Sequence, residues 1–355
     1  MRASPTKAFP SASQQAIKPP NPLQVFTYTH ASNAPNEDTI VDAHVESVGR
    51  VVAVFDGNGG PSASVYLQNA LADTVASVWS QQGASAAGTS PADDHDRLKQ
   101  LYATLDSALL QRLGDKSLLK QQPTAYEAGA SAVTAIISPD GGKLLVANIG
   151  DCRAVLGSMS DGQWQATRLS KAHSANCGEE VLRLQRENAG TKMNPVQPPA
   201  DDEDNTCRVQ GVLNLTRAFG AFHFKKKAWS KVFNDTYSND EYVGVKNDKK
   251  PLITAAPHTV SREIGPQDRF IIVASDGFSD MIDDGLAVSL VASFKGPRQD
   301  LCKHLTEHAL RRAAFEGVKN YSEMLMLTDS EEKRAIFDDT SVVVMFFNAS
   351  DDDEE

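Results

Sequence analysis

Short apolar segments rich in Val, Ile and Phe recur along the chain, and Gly, Pro or Asp bounds each of them. This composition is typical of β-strands. The segments that show it are residues 50–57, 131–138, 144–157, 163–170, 269–277 and 340–347. Several follow one another with no helix between them, as the strands of hairpins do, so antiparallel pairing is predicted.

Apolar residues spaced three or four positions apart predict helices on either side of the strands. The residues that mark the first two helices are Leu67, Leu71, Val75 and Val78, then Leu98, Leu101, Tyr102, Leu105 and Leu109. Two further helices are predicted at 177–189 and 298–315. The elements do not alternate as β-α-β-α, so we expect antiparallel sheets with helices on the outside, an α+β layered sandwich.

One domain is expected over residues 23–348, with a different composition at each end. Residues 1–22 are rich in Ser, Ala, Pro and Gln, which predicts a disordered N-terminal arm. Residues 349–355 form an acidic tail. Polar, Pro-rich or Lys-rich stretches predict two surface loops and one mobile flap or insertion, at 81–96, 192–207 and 225–251.

Charge and composition exclude several classes of protein. The chain has 35 Lys and Arg against 46 Asp and Glu, a net charge of −11, so nucleic acid, which binds to basic surfaces, is not an expected partner. There is no apolar run of about 18 residues, and we expect no membrane span. The four cysteines form no CxxC pair, and no apolar signal segment opens the chain. We therefore expect a reduced compartment, the cytoplasm or the nucleus.

Acidic residues stand at the ends of several predicted strands. Asp56 and Asp276 each end a strand and precede a glycine, Asp338 precedes the last strand, and Glu37 and Asp38 precede an apolar stretch. If these ends converge, the carboxylates repel one another unless a cation neutralises them. Oxygen ligands without Cys or His favour Mg²⁺ or Mn²⁺ over Zn²⁺, and such ions supply hydroxide for attack on phosphorus. The alternative is that each Asp-Gly pair is simply a turn.

At these residues the chain resembles the metal-dependent protein phosphatase family, the type 2C Ser/Thr phosphatases, over residues 23–348. The pieces that carry the resemblance occur in the family's order. They are NED (36–38), VFDGNGG (54–60), GASAV (129–133), ANIGDCRAVL (147–156), RVQGVLNLTRAFG (208–220), VASDGFSDMI (273–282) and DDTSVVV (338–344). The resemblance implies two packed antiparallel sheets flanked by helices, with two Mg²⁺ or Mn²⁺ ions per chain between the sheet ends.

The resemblance also implies a set of metal ligands. Asp56 would bridge the two ions, and the Gly57 carbonyl would bind one of them. Glu37, Asp276 and Asp338 would complete the second site. All but Gly57 are acidic, in agreement with the carboxylates found at strand ends.

Two more acids match the family's metal positions, and one expected acid is missing. Asp38 would act through a water molecule, and Asp280 matches an acid that the family uses for a weaker third metal. Ala172 stands where the family has another aspartate of that third site.

Other departures fall on substrate binding and proton transfer. Asn58 replaces the histidine that acts as general acid, and an amide cannot donate a proton as an acid. Asn33 replaces the arginine that binds the substrate phosphate. Ala221 replaces an acid after the SRAFG-like motif, and Asp339 replaces the Asn that commonly follows the last metal ligand.

Two interpretations follow from this pattern. In one, the protein is a Ser/Thr phosphatase in which a metal-bound hydroxide attacks the phosphomonoester of a phosphoprotein, with activity reduced by Asn33 and Asn58. His30 or His44 could then donate the proton. In the other, it is a pseudophosphatase, a metal-stabilised module that binds a protein partner. In both we expect a monomer.

A second metal motif needs weighing. HLTEH (304–308) fits the H-x-x-E-H pattern of a class of zinc peptidases, and its spacing would place His304 and His308 on one helical face. Helices often carry such pairs by chance, and the phosphatase resemblance assigns this segment to an outer helix.

Overall fold

The computed structural model describes residues 23–347 except for 82–89, 116–118, 120, 123–124, 191–193, 199–205, 238–241, 318–319 and 328–329. The predicted N-terminal arm (1–22) and acidic tail (349–355) lie outside the described residues. None of the described helices combines the length and apolar character needed to cross a membrane.

The first of two large sheets is antiparallel and has five strands. In spatial order they are β1 (Gln24–His30), β13 (Thr340–Phe346), β12 (Asp268–Ala274), β6 (Arg153–Ser160) and β7 (Gln163–Arg168). The first and last strands of the domain are neighbours, with His30 opposite Thr340. The segment that follows β1 and the segment that precedes β13 therefore lie side by side, although about 300 residues separate them in sequence.

The second sheet has six strands and is also antiparallel. In spatial order they are β11 (His258–Glu263), β5 (Lys143–Ile149), β4 (Gly129–Ile137), β3 (Gly49–Asn58) and β2 (Thr39–Val45), with the short β10 (Phe219–Gly220) paired to β4. A separate two-stranded ribbon contains β8 (Val196–Gln197) and β9 (Arg208–Val209).

Helices cover the outer faces of both sheets. The described helices are α1 (Ser62–Gln81), α2 (Pro91–Leu113), α3 (Gly178–Glu187), α4 (Lys227–Tyr237), α5 (Asp276–Ser279), α6 (Asp284–Ser293), α7 (Leu301–Glu316), α8 (Tyr321–Leu325) and α9 (Ser330–Arg334). The first two pack on the second sheet, while α6 and α7 pack on the first. The result is the predicted four-layered α+β sandwich, which confirms the expected fold class.

The alternation of side chains along β3 explains why the two sheets pack face to face. Val52 and Val54 lie between the sheets with residues of the first sheet such as Val343. Val51 and Phe55 point the other way and pack under α1 and α2. All of these side chains are fully buried, so β3 is apolar on both faces up to its last residues.

One predicted strand proves to be two. The segment 144–157 divides into β5, in the second sheet, and β6, in the first. The chain crosses between the sheets at Gly150, whose φ of 75° is the left-handed conformation that glycine adopts easily. An apolar pattern alone does not reveal this break, because both halves are buried.

The predicted loops and flap contain more regular structure than expected. Helix α2 begins inside the loop predicted at 81–96, since Ser90 and Asp93 form a capping box. The predicted flap at 225–251 contains α4, which packs through Trp229 against Tyr126. The loop predicted at 192–207 includes β8, and most of its other residues lie outside the described part of the chain.

Candidate metal centre

Three aspartates meet where the two sheets end together. Asp56 lies near the end of β3, Asp276 begins α5 directly after β12, and Asp151 lies at the crossover from β5 to β6. One carboxylate oxygen from each lies within 4.8 Å of the others. Among the described residues this is the one group of three or more His, Cys, Asp or Glu side chains placed to hold a metal ion.

The remaining predicted acids surround this group. Glu37 and Asp38 lead into β2, and the Glu37 carbonyl accepts hydrogen bonds from Gly57 N–H at 3.2 Å and Ser64 Oγ at 2.5 Å. Asp38 and Asp338 lie close enough to Asp56 for their charges to raise its pKa. The structure therefore brings the acids that precede β2 to the end of β3.

Asp280 and Gly57 complete the predicted set. Asp280 follows one turn after Asp276, and its N–H donates to the Asp276 carbonyl at 2.8 Å. At Gly57 an added Cβ would lie only 2.7 Å from the Glu37 carbonyl oxygen, so a glycine is needed for this close approach. All the predicted ligand positions are thus gathered at one end of the sandwich, while their division between two ions stays a prediction.

Burial and mutual repulsion disfavour the charged forms of these acids. The pKa values of Asp56 and Asp276 are raised, first by burial and then by neighbouring carboxylates. The same causes raise the pKa of Asp38 to about 7 and that of Asp151 to about 6. Burial also raises the pKa values of Glu37 and Asp280. A divalent cation would remove this penalty.

Several carboxylate oxygens in the centre are buried and have no hydrogen-bond partner in the described part of the chain. They are both oxygens of Asp38 and Oε2 of Glu37. The hydroxyl groups of Ser275 and Ser341 lie near Asp38 and favour its charged form, but neither makes a hydrogen bond of regular geometry with it. Orphaned carboxylate oxygens in an all-oxygen donor set fit Mg²⁺ or Mn²⁺.

Asp339 holds the loop that carries Glu37 and Asp38. Its buried carboxylate accepts four hydrogen bonds from this loop. The donors are Ser32 N at 2.6 Å, Asn33 N at 2.8 Å, Asn33 Nδ2 at 2.9 Å and Glu37 N at 2.7 Å. A departure from the family pattern that looked mild in sequence thus positions one side of the centre.

The two substituted positions of the site have different surroundings. The Asn33 amide donates to Asp339 and, at 3.3 Å, to Asp338, so this side chain is turned towards the carboxylates. Asn58 lies at the end of β3 against Gly129, and a Cβ added at Gly129 would be 2.9 Å from Asn58 Oδ1. Neither amide can supply the positive charge of an arginine or the proton of a general acid.

Ala172 lines a cavity of about 310 Å³ beside the aspartates. Asp151, Asp280 and Arg153 line the same cavity. Arg153 donates to the Ser279 carbonyl at 2.6 Å and lies 3.5 Å from Asp284, so its guanidinium is held by neighbouring groups. Ala172 offers no carboxylate to this cavity, unlike the aspartate expected at this position.

Asp151 is the residue that the sequence reasoning missed. It lies in the quoted piece ANIGDCRAVL, after a strand, but in the order Gly-Asp rather than Asp-Gly. The signal in the sequence is a third acid beside a strand-terminal glycine, which here precedes the aspartate instead of following it.

The histidines considered in the sequence analysis do not belong to the group of converging aspartates. His30 ends β1 and packs on the Phe337 ring at 5.5 Å, while His44 lies on β2 opposite Arg50, towards the far end of that strand. His304 and His308 share a face of α7 with ring centroids 4.8 Å apart. No third ligand joins this pair among the residues that the structure describes, so nothing supports zinc there.

Comparisons with known proteins find relatives of this chain in sequence and in structure. The family model "Protein phosphatase 2C" matches residues 26–317. Probable protein phosphatase 2C 78 of rice (Oryza sativa subsp. japonica) is 30% identical over 301 residues, which cover 80% of this chain and 69% of the rice protein. Probable protein phosphatase 2C 46 of Arabidopsis thaliana is 27% identical over 284 residues, 78% of this chain and 67% of that protein.

Solved structures share the fold at lower identity. Serine-threonine phosphatase 2C from Toxoplasma gondii superposes with a TM-score of 0.63 and 18% identity, over 92% of this chain and 96% of that one. A sex determining protein of C. elegans superposes with a TM-score of 0.61 and 21% identity, over 92% of this chain and 65% of its own length. With a family model that matches most of its length, the chain belongs to the protein phosphatase 2C family of Ser/Thr phosphatases.

Proposed function

We propose that the protein is a Mg²⁺- or Mn²⁺-dependent protein Ser/Thr phosphatase with reduced turnover. The observation that supports this most is the convergence of Asp56, Asp151 and Asp276, with orphaned oxygens on Asp38 and Glu37 beside them. When bound, two ions would neutralise these carboxylates and supply a hydroxide nucleophile for attack on phosphorus. The substrates would be phosphoproteins.

The chain's own residues would hold the ions and orient the reaction. Asp56 is partly buried, and the charges of Asp276, Asp38, Asp151 and Asp338 all raise its pKa, so it would be the carboxylate best placed to share both ions. Asn58, at the end of β3, can donate a hydrogen bond to the leaving oxygen but no proton. The loss of a general acid typically costs about 10²–10⁴-fold in rate, and the loss is largest for alkyl leaving groups such as serine.

A pseudophosphatase is the second candidate, and one observation favours it. The Asn33 side chain is engaged by Asp338 and Asp339, so the position expected to bind phosphate carries neither a cation nor a free donor group turned to substrate. In this case the metal-filled carboxylate centre would stabilise the fold, and the protein would bind partners without efficient hydrolysis.

Hydrolysis of an aryl phosphate with Mn²⁺ separates the two candidates. An aryl leaving group needs little protonation, so the Asn58 site should cleave it. The comparison is wild type, Asp56→Ala, and Asp42→Ala as a control on the surface of β2, where Asp42 pairs with Arg50 at 2.6 Å. The phosphatase hypothesis predicts turnover in wild type and in Asp42→Ala, and none in Asp56→Ala. Equal background rates in all three proteins would leave the pseudophosphatase.

Metal stoichiometry tests the centre separately from turnover. Calorimetric titration with Mn²⁺ should show two ions bound per chain in wild type and weaker binding in Asp276→Ala, because Asp276 belongs to the converged group. Unchanged binding in that variant would contradict the ligand assignment even if the protein were active.

A further inference from the structure

A second cavity, of about 570 Å³, continues from the cavity beside the aspartates. The walls of both contain Arg168, Ser170 and Ala172, while Asp151 and Asp280 line the first. We call the second one the flanking cavity. Its walls come from residues between 168 and 180, from Arg217, and from residues 257–259. A peptide whose phosphate lies at the aspartates would therefore extend into the flanking cavity with its neighbouring residues.

The N-terminus of α3 forms part of this wall. Cys177, at the position that precedes the helix, and the first-turn residues Glu179 and Glu180 line the flanking cavity. The Cys177 side chain makes no capping hydrogen bond, and the first N–H groups of a helix have no partner within the helix. These N–H groups and the positive end of the helix dipole favour an anion.

A buried histidine beside this helix end has an unpaired ring nitrogen. His173 lines the flanking cavity and is 2% exposed, and its Nδ1 has no hydrogen-bond partner among the residues that the structure describes. The Nδ1 atom of His258, on the wall formed by β11, is buried and unpaired in the same part of the chain. Buried polar groups are rarely left without partners, so these rings indicate that the flanking cavity receives a polar ligand.

More cations than carboxylates line the flanking cavity, with Arg168, Lys171 and Arg217 against Glu179 and Glu180. Two of these cations are bonded to carboxylates. Arg217 donates to both oxygens of Glu180, at 2.6 and 3.0 Å, and Arg168 donates to Asp284 at 2.8 and 3.0 Å. The buried Glu180 also accepts from Arg183 at 2.9 Å, so its charge is balanced within the wall. The remaining charge is that of Lys171.

Lys171 is the cation that can exchange its partner. Its ammonium lies 3.5 Å from the Glu179 carboxylate, and both side chains are exposed. Exposed pairs of this kind contribute little to stability, so another carboxylate can replace Glu179 at small cost. The main chain of Lys171 is fixed, because its N–H donates to Asn148 Oδ1 at 3.0 Å and its carbonyl accepts from Asn148 Nδ2 at 2.7 Å.

We propose that the flanking cavity binds the carboxylate of an acidic residue that lies close to the phosphoserine or phosphothreonine of the substrate. This inference rests on the proposed phosphatase function and adds a substrate class to it, phosphoproteins with acidic residues beside the phosphorylated one. The substrate carboxylate accepts from Lys171 and from the N–H groups that begin α3, and neutral histidine rings offer further donors. A carboxylate fits better than a second phosphate dianion because the surplus of positive charge in the wall is small.

The test uses phosphothreonine peptides that carry a single Glu at successive positions on either side of the phosphothreonine, each with a Gln peptide as its twin. For one Glu position, Mn²⁺-loaded wild type should show a kcat/KM about tenfold or more above that of the Gln twin, because of the charge-assisted hydrogen bonds. The gain should appear in KM rather than in kcat, since the flanking cavity binds the peptide away from the reacting phosphate.

Two variants should change this preference in opposite directions. Lys171→Gln removes the cation and should bring the ratio of the Glu peptide to its Gln twin close to one. Glu179→Gln removes the competing carboxylate and should increase the ratio. Lys99→Gln is the matched control, because Lys99 is as exposed as Lys171 (56% against 57%) and pairs with Asp96 on α2 at 3.1 Å. It should keep the wild-type ratio, and an equal ratio in Lys171→Gln and Lys99→Gln would overturn the inference.

A readout without turnover keeps this inference separate from the proposed function. Calorimetric titration of the Mn²⁺-loaded protein with phosphonate analogues of the same peptides, which cannot be hydrolysed, should show the same preference and its loss in Lys171→Gln. Equal affinities of the Glu and Gln analogues at every position would overturn the inference whether or not the protein is active. An inactive wild type that binds a Glu analogue more tightly, and loses this in Lys171→Gln, would contradict the phosphatase but support the anion site. Circular dichroism of each variant confirms that the fold is kept.

Discussion

Replacing Asp38 by Asn should stabilise the metal-free protein, although Asp38 is a predicted metal-site residue. Its carboxylate is buried, its oxygens have no hydrogen-bond partner in the described chain, and its pKa is raised from 3.8 to about 7. The charged form is therefore disfavoured in the folded protein. The amide has nearly the same shape without the charge, so it removes this penalty.

The size and the pH dependence of the effect follow from this pKa. Because the folded state binds the proton of Asp38 more tightly than the unfolded state, the free energy of unfolding falls as pH rises from about 3.8 to about 7. At about 1.4 kcal/mol per unit, the penalty in wild type is about 4 kcal/mol at pH 7.5 and about 2 kcal/mol at pH 5. The free energy of unfolding of metal-free Asp38→Asn should exceed that of wild type by these amounts.

The comparison of variant and wild type also cancels other titrations. Burial lowers the pKa values of His173 and His223 to about 3, so their effect on stability has the opposite sign and rises with pH up to about 6.5. Both proteins contain these histidines, so the difference between the two isolates Asp38.

Urea unfolding in EDTA at the two pH values measures the effect, with Asp42→Asn as the control on the same strand. Since Asp42 is an exposed partner of Arg50, the control should change stability by less than about 1 kcal/mol. Added Mn²⁺ should stabilise wild type more than Asp38→Asn. A metal-free Asp38→Asn that is less stable than wild type, or that differs from it equally at both pH values, would refute the reasoning.

Three further changes probe other parts of the centre. Asp339→Asn can accept only two of the four hydrogen bonds from the Glu37 loop, so Mn²⁺ affinity measured by calorimetry should fall about tenfold or more; unchanged affinity would show that the loop is held by other contacts. Asn58→His should raise phosphopeptide turnover by about 10²-fold or more and aryl phosphate turnover much less, because only the phosphopeptide needs a general acid to protonate its leaving group. Equal gains on both substrates would argue that the introduced side chain does not act as a general acid. Gly150→Ala should lower the melting temperature and weaken Mn²⁺ binding, because an added Cβ would overlap the Ser131 side chain at a φ of 75°; a melting temperature equal to that of wild type would contradict this expectation.

The layers of the fold and the acids at strand ends could be predicted from local patterns, and the family from the resemblance of several motifs in their order. The alternation in β3 and the Val- and Ile-rich runs reflect side chains that must be buried on sheet faces, so they appear directly in the sequence. The Asp-Gly pairs at Asp56 and Asp276 could be identified in the sequence for a related reason. Where a strand ends in a carboxylate ligand and the chain then turns sharply, the aspartate and the glycine have to be adjacent.

The contacts between distant segments were decided by the tertiary structure alone. Asp151 joins Asp56 and Asp276 only because the chain changes sheets at Gly150. Asp339 binds Asn33 across 306 positions of sequence because β1 and β13 pair antiparallel. Such contacts depend on which strands become neighbours, and strand pairing is set by packing of the whole domain rather than by the residues near each site.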